Sequence, residues 1–385
     1  MWEGTKRTSR QTNGPPTLAP PTKIEPSFRP SLEFDMRKVK HLLVTGGCGF
    51  IGSAFVRRLL NNPDYDGKIV NFDLLTYAGN PKSVIGQVPE ARHVLARGNI
   101  KDTSLVLELI DTHQIDTIVH FAAESHVDRS ILGPQTFIDT NVLGTMHLLE
   151  AVRARPQVHF HHISTDEVYG SLGPNGLFTE QSPYQPRSPY AASKAASDHL
   201  VAAWAHTYGL STTLSNCSNN YGPFQFPEKL IPLMILNMFE NKPLPVYGDG
   251  QNVRDWLYVD DHVDAVWEII TKAEPGSSYN VGGNTERTNM DLLNQLIEVV
   301  AKVAQKPAAS LRNLIRFVED RPGHDRRYAI DASRIKSDLK WTPAHQLESG
   351  LERTVRWYFE NTDWVNDVRS GEYLAWIEKN YAKRS

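Results

Sequence analysis

The run His41-Leu-Leu-Val-Thr45-Gly46-Gly-Cys-Gly49-Phe-Ile-Gly52-Ser-Ala54-Phe-Val-Arg-Arg-Leu-Leu60 decides the fold of this chain. Its first five residues form a short apolar run, the signature of a buried strand. Three glycines at 46, 49 and 52 then break the pattern, and an apolar-periodic helix follows over Ala54–Leu60. A strand, a glycine turn and a helix in that order form the first half of a strand–helix–strand crossover. The second half is present as well. Ile69-Val-Asn-Phe-Asp73 reads as the next strand and ends on an acid.

The alternation continues along the chain. Further strands are expected at His93–Gly98, Thr117–Ala122, Val158–Ser164 and Thr212–Ser215, with helical patterns over Leu105–His113, Thr140–Arg153 and Ala191–Tyr208 between most of them. Strands alternating with helices predict an α/β fold built on a Rossmann-type doubly wound parallel sheet. Beyond about residue 223 the pattern turns irregular, rich in Pro, Gly and aromatic residues, and contains helical stretches at Asn289–Ala304 and Leu347–Glu360. The expected organisation is therefore a tail over 1–40, a nucleotide-binding domain over 41–222 and a smaller C-terminal α/β substrate-binding region over 223–385, with the chain crossing back between the two.

Composition excludes several classes. At 385 residues, 40% hydrophobic and 22% charged, the chain reads as an ordinary globular protein with a sizeable core. It contains no apolar run of ~18 residues, so no membrane span is expected. Cys48 and Cys217 are the only cysteines and lack metal-ligand spacing. That argues for a reducing cytoplasm and against a disulfide framework or zinc site. Residues 1–40 hold a net charge of +4 and six prolines in the first thirty positions, which predicts disorder. The remaining residues carry −7, so nucleic-acid binding is not expected. That tail lacks the apolar segment of a secretory signal.

Glycine at the turn lets backbone approach a pyrophosphate, and the helix N-terminus presents free N–H donors to it. Asp73, about twenty residues past the last glycine, is placed to accept from ribose hydroxyls and would repel a 2′-phosphate, which favours NAD over NADP. Asn99-Ile100 follows the third strand, where adenine would lie. Ala122 and Ala123 supply small residues where backbone passes the cofactor.

Tyr190-Ala-Ala-Ser-Lys194 places a phenol and an ammonium one helical turn apart. A nearby Lys⁺ favours ionisation of tyrosine, making a base that can remove a hydroxyl proton while hydride leaves the same carbon. Thr165-Asp166-Glu167 follows a buried-looking strand and should project from its carboxyl end, where such sheets bind ligands. Two adjacent carboxyl groups can divide acid and base roles if their surroundings push their pKa values apart.

Thr45–Gly52, Ala122-Ala-Glu-Ser-His-Val-Asp-Arg129, Ser164-Thr-Asp-Glu-Val-Tyr-Gly170 and Tyr190–Lys194 together resemble the extended short-chain dehydrogenase/reductases. Within that superfamily the chain closely resembles the dTDP-glucose 4,6-dehydratase family over about residues 40–380. The resemblance implies oxidation of a hexose at C4 by Tyr190 with Lys194 and Thr165, removal of the C5 proton by Glu167, and protonation of the leaving C6 hydroxyl by Asp166. It implies cofactor contacts at Gly46, Gly49, Phe50, Ile51, Gly52, Asp73, Asn99, Ile100, Ala122, Ala123, Tyr190 and Lys194. For the sugar nucleotide it implies Ser125, His126, Asn219, Glu228, Lys229, Leu230, Pro245, Tyr247, Arg254, Asn289, Arg321, His324 and Tyr373. Arg254 and Arg321 suit a diphosphate, and Tyr247 offers a face or hydroxyl to the base. A homodimer is also implied, through the helical stretches near 105–113 and 140–153.

Position 99 departs from the family, which commonly has Asp there. An amide oxygen still accepts a hydrogen bond, but more weakly than a carboxylate. Two other readings stay open on sequence alone. One is an epimerase or decarboxylase relative, against which Asp166-Glu167 argues; the other is a catalytically silent NAD-binding scaffold. No residue decides between dTDP-glucose and UDP-glucose as substrate.

Overall fold

The computed structural model describes residues 36–369 together with Ile377 and Asn380. Twelve strands occur among them: β1 (His41–Thr45), β2 (Lys68–Asp73), β3 (His93–Arg97), β4 (Thr117–His120), β5 (His159–Thr165), β6 (Thr212–Cys217), β7 (Asn219–Tyr221), β8 (Leu244–Tyr247), β9 (Val253–Tyr258), β10 (Ser278–Val281), β11 (Glu286–Thr288) and β12 (Ile315–Val318). Seven of them form one parallel sheet in the order β10-β6-β5-β4-β1-β2-β3. Chain order reverses between β1 and β4, so the strand ends there open a crevice in which ligands of doubly wound sheets sit.

Helices cover both faces, which is why strand residues are buried on either side. Leu42 and Val44 pack with Phe55 and Leu59 of helix Phe50–Leu60 on one face. Leu43 and Ile118 pack with Ile110 and Leu148 on the other. β5 is buried along its whole length although it reads His159-Phe-His-His-Ile-Ser-Thr165. Hydroxyls on and beside β6 make this possible. The His159 ring lies 2.9 Å from Ser211 Oγ and 3.0 Å from Thr213 Oγ1, and the His161 ring 2.9 Å from Thr213 Oγ1 and 3.2 Å from Ser215 Oγ. Burial holds both imidazoles well below their usual pKa, hence neutral.

The region expected to be irregular beyond 223 contains more order than its composition announces. Helix Leu230–Phe239 is apolar on all sides, so no amphipathic stripe marks it. Helix Val259–Lys272 begins directly after the last residue of β9 with no turn signal between them. β10 joins the main sheet beside β6. The other strands form two small sheets, β11-β9-β7 and β12-β8. Leu292 and Leu296 of helix Asn289–Ala304, Leu351 of helix Leu347–Glu360 and Ile235 share one buried cluster beneath them. Among the described residues, no helix is long and apolar enough to cross a membrane.

Candidate active site

Two cavities meet at the carboxyl ends of the central strands. The larger, of about 510 Å³, is lined by all twelve residues expected to contact the cofactor. Gly46 has φ +69°, and a Cβ there would lie 2.6 Å from the backbone of Ala122; a Cβ at Gly52 would lie 2.3 Å from the Gly46 carbonyl oxygen. The turn thus packs against the β4 end with no room for side chains. Helix Phe50–Leu60 opens beside it, with Gly49 as its cap and no acidic residue in its first turn. Its amide end accordingly faces the cavity without a competing carboxylate. Asp73 closes β2 and accepts from the Cys48 N–H at 2.9 Å and the Leu75 N–H at 2.8 Å. Burial raises its pKa against those two bonds. Asn99 Oδ1 accepts from the Lys101 N–H at 2.9 Å, which orients its amide in the loop after β3. A glycine cradle, a helix start with no side-chain cap and a carboxylate at the end of β2 fit a dinucleotide.

Thr165, Asp166, Glu167, Tyr190 and Lys194 line the inner end of the same cavity. Thr165 ends β5 and caps the turn Asp166–Tyr169, its Oγ1 accepting from the Glu167 N–H at 3.3 Å. Helix Pro189–Tyr208 starts at that point because Ser188 Oγ accepts from the Ala191 N–H at 3.0 Å and Pro189 presets its first turn. The Tyr190 phenol hydrogen-bonds with the Thr165 side chain, but burial and the Glu167 charge push it well above its usual pKa. Sequence spacing predicts the Lys194 ammonium beside that phenol. In the structure, Lys194 Nζ donates to the Ile163 carbonyl at 2.7 Å and lies 3.3 Å from His162 Nε2. The helical spacing is as expected, and β5 supplies the buried ammonium with its acceptor.

The two carboxyl groups sit in different surroundings. Asp166 is 2% exposed, and its Oδ2 accepts no hydrogen bond among the described residues. Burial, with Glu167 and Asp255 nearby, drives its pKa well above the carboxylate range. Glu167 is also raised by burial, but Arg321, Arg254 and Lys229 pull it back toward ionisation. The pair is thereby biased toward one protonated and one ionised carboxyl group.

Glu167 also lines the second cavity, of about 180 Å³, as do Asn219, Glu228 and Lys229. His126, Leu230, Pro245, Tyr247, Arg254, Asn289, Arg321 and His324 complete the expected set there. Ser125 lies on the cofactor side, its carbonyl accepting from Lys229 Nζ at 2.9 Å. Tyr373 falls outside the described residues. Arg254 donates to backbone carbonyls, that of Asp325 at 2.9 Å among them, and stacks over Tyr328 at 4.3 Å. Burial lowers its pKa. Tyr247 donates to Asp128 Oδ2 at 3.1 Å, and Arg321 lies 3.8 Å from Asp128 Oδ1.

Sequence reading passed over three residues that organise this pocket. Asp128 orients both Tyr247 and Arg321, and it lies inside the motif Ala122–Arg129. Arg129 lies there too; it donates to Glu228 at 3.0 Å and covers the Tyr77 ring at 3.9 Å. Tyr77 in turn donates to Glu228 at 3.0 Å. Nothing in the local pattern marks Tyr77, since its partner is far along the chain.

Comparison with known proteins agrees with this geometry. The family model described as GDP-mannose 4,6 dehydratase matches residues 43–354. The dTDP-glucose 4,6-dehydratase of Salmonella typhimurium is 50% identical over 361 residues, covering 89% of this chain and 99% of the relative. The dTDP-glucose 4,6-dehydratase of Bacillus anthracis, crystallised in complex with NAD, is 44% identical with a TM-score of 0.78, covering 86% of this chain and 100% of that one. The UDP-glucose 4-epimerase of Thermotoga maritima shares the fold at 26% identity, with a TM-score of 0.74 over 84% of this chain and 99% of its own. With dehydratase relatives matched along nearly their full length, the chain belongs to the dTDP-glucose 4,6-dehydratase family of the extended short-chain dehydrogenase/reductases.

Proposed function

We propose that this chain is an NAD-dependent hydro-lyase that converts dTDP-glucose to dTDP-4-keto-6-deoxyglucose. The observation that carries this reading is the unequal carboxyl pair Asp166/Glu167 at the junction of the two cavities. The turn Gly46–Gly52 and the helix start after it hold the pyrophosphate, Asp73 the ribose, Asn99 and Ile100 the adenine, while Ala122, Ala123, Tyr190 and Lys194 border the reactive end. NAD held by these residues would supply a reversible hydride acceptor beside the sugar, so the reaction would have no net redox change.

Tyr190 Oη takes the proton of the C4 hydroxyl, with Thr165 fixing the phenol and Lys194 supplying positive charge. The C4 ketone acidifies the C5 hydrogen, and Glu167 removes it. Asp166 gives its proton to the C6 hydroxyl as the C6–O bond breaks and water leaves. Glu167 then returns its proton to C5. Each turnover leaves Tyr190 one proton richer and Asp166 one poorer, and exchange restores both. Arg254 and Arg321 grip the diphosphate, while Ser125, His126, Asn219, Glu228, Lys229, Leu230, Pro245, Tyr247, Asn289 and His324 enclose sugar and base.

The division of the chain near residue 222 belongs to the same proposal, with β10 and helix Val259–Lys272 returning to the nucleotide-binding part. So does a cytoplasmic location, in keeping with two free buried cysteines. Homodimerisation is supported by apolar side chains exposed on one stretch, Leu132 at 59%, Ile138 at 41% and Leu143 at 38%. The test of the reaction is mass spectrometry of protein incubated with dTDP-glucose and, in parallel, UDP-glucose, with and without added NAD. A product lighter by one water is expected from dTDP-glucose. An unchanged mass with an inverted sugar centre would replace the dehydratase by an epimerase.

A further inference from the structure

Helix Pro189–Tyr208 carries a third ionisable residue on the face that presents Tyr190 and Lys194 to β5. Asp198 stands one turn beyond Lys194, at the same spacing that separates Lys194 from Tyr190. It is 4% exposed, and so is Lys194. Asp198 Oδ2 accepts from Ser164 Oγ at 2.7 Å and Asn216 Nδ2 at 3.5 Å. Its other oxygen accepts no hydrogen bond among the described residues and faces His162 Nε2 at 3.3 Å, the nitrogen that lies 3.3 Å from Lys194 Nζ. A fully buried imidazole is thus held between a buried ammonium and a buried carboxylate.

The surrounding groups leave Asp198 as the principal balance for the lysine: burial raises its own pKa, but Lys194 and the hydrogen bonds from Ser164, Tyr184 and Asn216 pull it back toward ionisation. His162 and His120 are held neutral by burial and by Lys194 itself. The Cys217 thiol and the Tyr169 and Tyr184 phenols are pushed upward and stay protonated at neutral pH, while Tyr190, pushed upward as well, must give up its proton before it acts as the base. Burial disfavours the charge on Lys194, and Asp198 leads the influences that restore it. Asp166 and Glu167 lie beyond Thr165, on the substrate side.

We propose that Asp198 is a positioning residue of the reaction: with His162 between them, it is the buried counter-charge that keeps Lys194 protonated and aimed past Ile163 toward the Tyr190 end of the cavity. The role of Lys194 in the chemistry rests on the dehydratase reading; the charge pair itself does not. Unpaired, a buried ammonium loses its proton more readily, and an opposite charge at this range is worth about 1–3 pH units.

The test has two arms. The first follows the Lys194 side chain by NMR in lysine-labelled protein with NAD bound, its signal identified by its loss in Lys194→Met. Asp198→Asn keeps the size and hydrogen bonds of the carboxylate, and it should lower the pH at which Lys194 loses its proton by one unit or more. An unmoved titration overturns the proposal whether or not the protein dehydrates any sugar. The second arm measures turnover across pH. Asp198→Asn should reduce kcat about tenfold at neutral pH, move the alkaline limb downward and leave KM and bound NAD unchanged. In the Lys194→Met background it should have no further effect on kcat; independent, additive losses would make Asp198 merely structural. Wild-type protein with normal Lys194 titration but no water loss would sink the dehydratase reading and leave the pair standing.

Discussion

Asp166→Asn separates chemistry from stability at one residue. The carboxyl is buried, has an oxygen with no partner among the described residues and lies near Glu167, so its pKa stands well above the ordinary 3.8. Asparagine reproduces the size and neutrality of the protonated acid but has no proton to give. Loss of a general acid costs about 10²–10⁴-fold in rate. Hydride removal from C4 and exchange of the C5 hydrogen should persist, because Tyr190, Lys194 and Glu167 are untouched. The assay combines single-turnover absorbance of reduced nicotinamide, deuterium uptake at C5 from D₂O, and product mass.

The same substitution should stabilise the fold. Between pH 3.8 and the raised folded-state value, folding must take up a proton that the unfolded chain has released, at a cost of about 1.4 kcal/mol per pH unit. Wild type therefore gains stability as pH falls toward 3.8, whereas the amide variant, neutral in both states, does not gain it from this site. At pH 7 the variant should melt roughly 1–3 °C higher, and the advantage should vanish near pH 4. Elimination at near wild-type rate would refute Asp166 as the acid. A lower melting point at neutral pH would refute its being held protonated.

Glu167→Gln should keep bound NAD and C4 oxidation but abolish both C5 exchange and water loss; normal exchange would assign the base elsewhere. The pH profile of kcat should be bell-shaped, falling on the acid side as Glu167 gains a proton and on the alkaline side as Asp166 and Lys194 lose theirs, the acid limb lying above the ordinary carboxylate range because burial raises Glu167. Gly46→Ala combines φ +69° with a 2.6 Å approach to Ala122, so it should lose bound NAD and about 1–3 kcal/mol or more of stability, read from nicotinamide content and melting temperature. Arg254→Lys should raise KM for the sugar nucleotide at least about tenfold while retaining NAD, since a lysine cannot reproduce the planar fork above Tyr328 that the proposed diphosphate grip uses. Leu132→Asp should convert a dimer to a monomer in sedimentation if that exposed stretch is the interface.

Local pattern determined the central architecture. β1, its glycine turn, the helix after it and the acid closing β2 are neighbours in sequence, and each depends on short-range steric and hydrophobic rules. The order of strands and helices up to β6 follows for the same reason. The candidate catalytic motifs stood out equally, because each lies within one short stretch, Thr165–Glu167 and Tyr190–Lys194. What lies after Tyr221 was less so: helix Leu230–Phe239 is apolar all round, and β10 belongs to the main sheet only because it pairs with β6 across more than sixty residues of chain.

Only the tertiary structure decided the state of the side chains. Spacing put Lys194 on the Tyr190 face of the helix, and the Ile163 carbonyl and His162 on β5 fix where its ammonium lies. The sequence Asp166-Glu167 names two carboxyl groups without saying which holds a proton. That is set by Asp255 on one side and by Arg254, Arg321 and Lys229 on the other, all brought in from distant segments. Asp128, Tyr77 and Asp198 escaped notice for the same reason. A charge in water is nearly indifferent to its neighbours, whereas a buried one is governed by them, and burial exists only once the chain has folded.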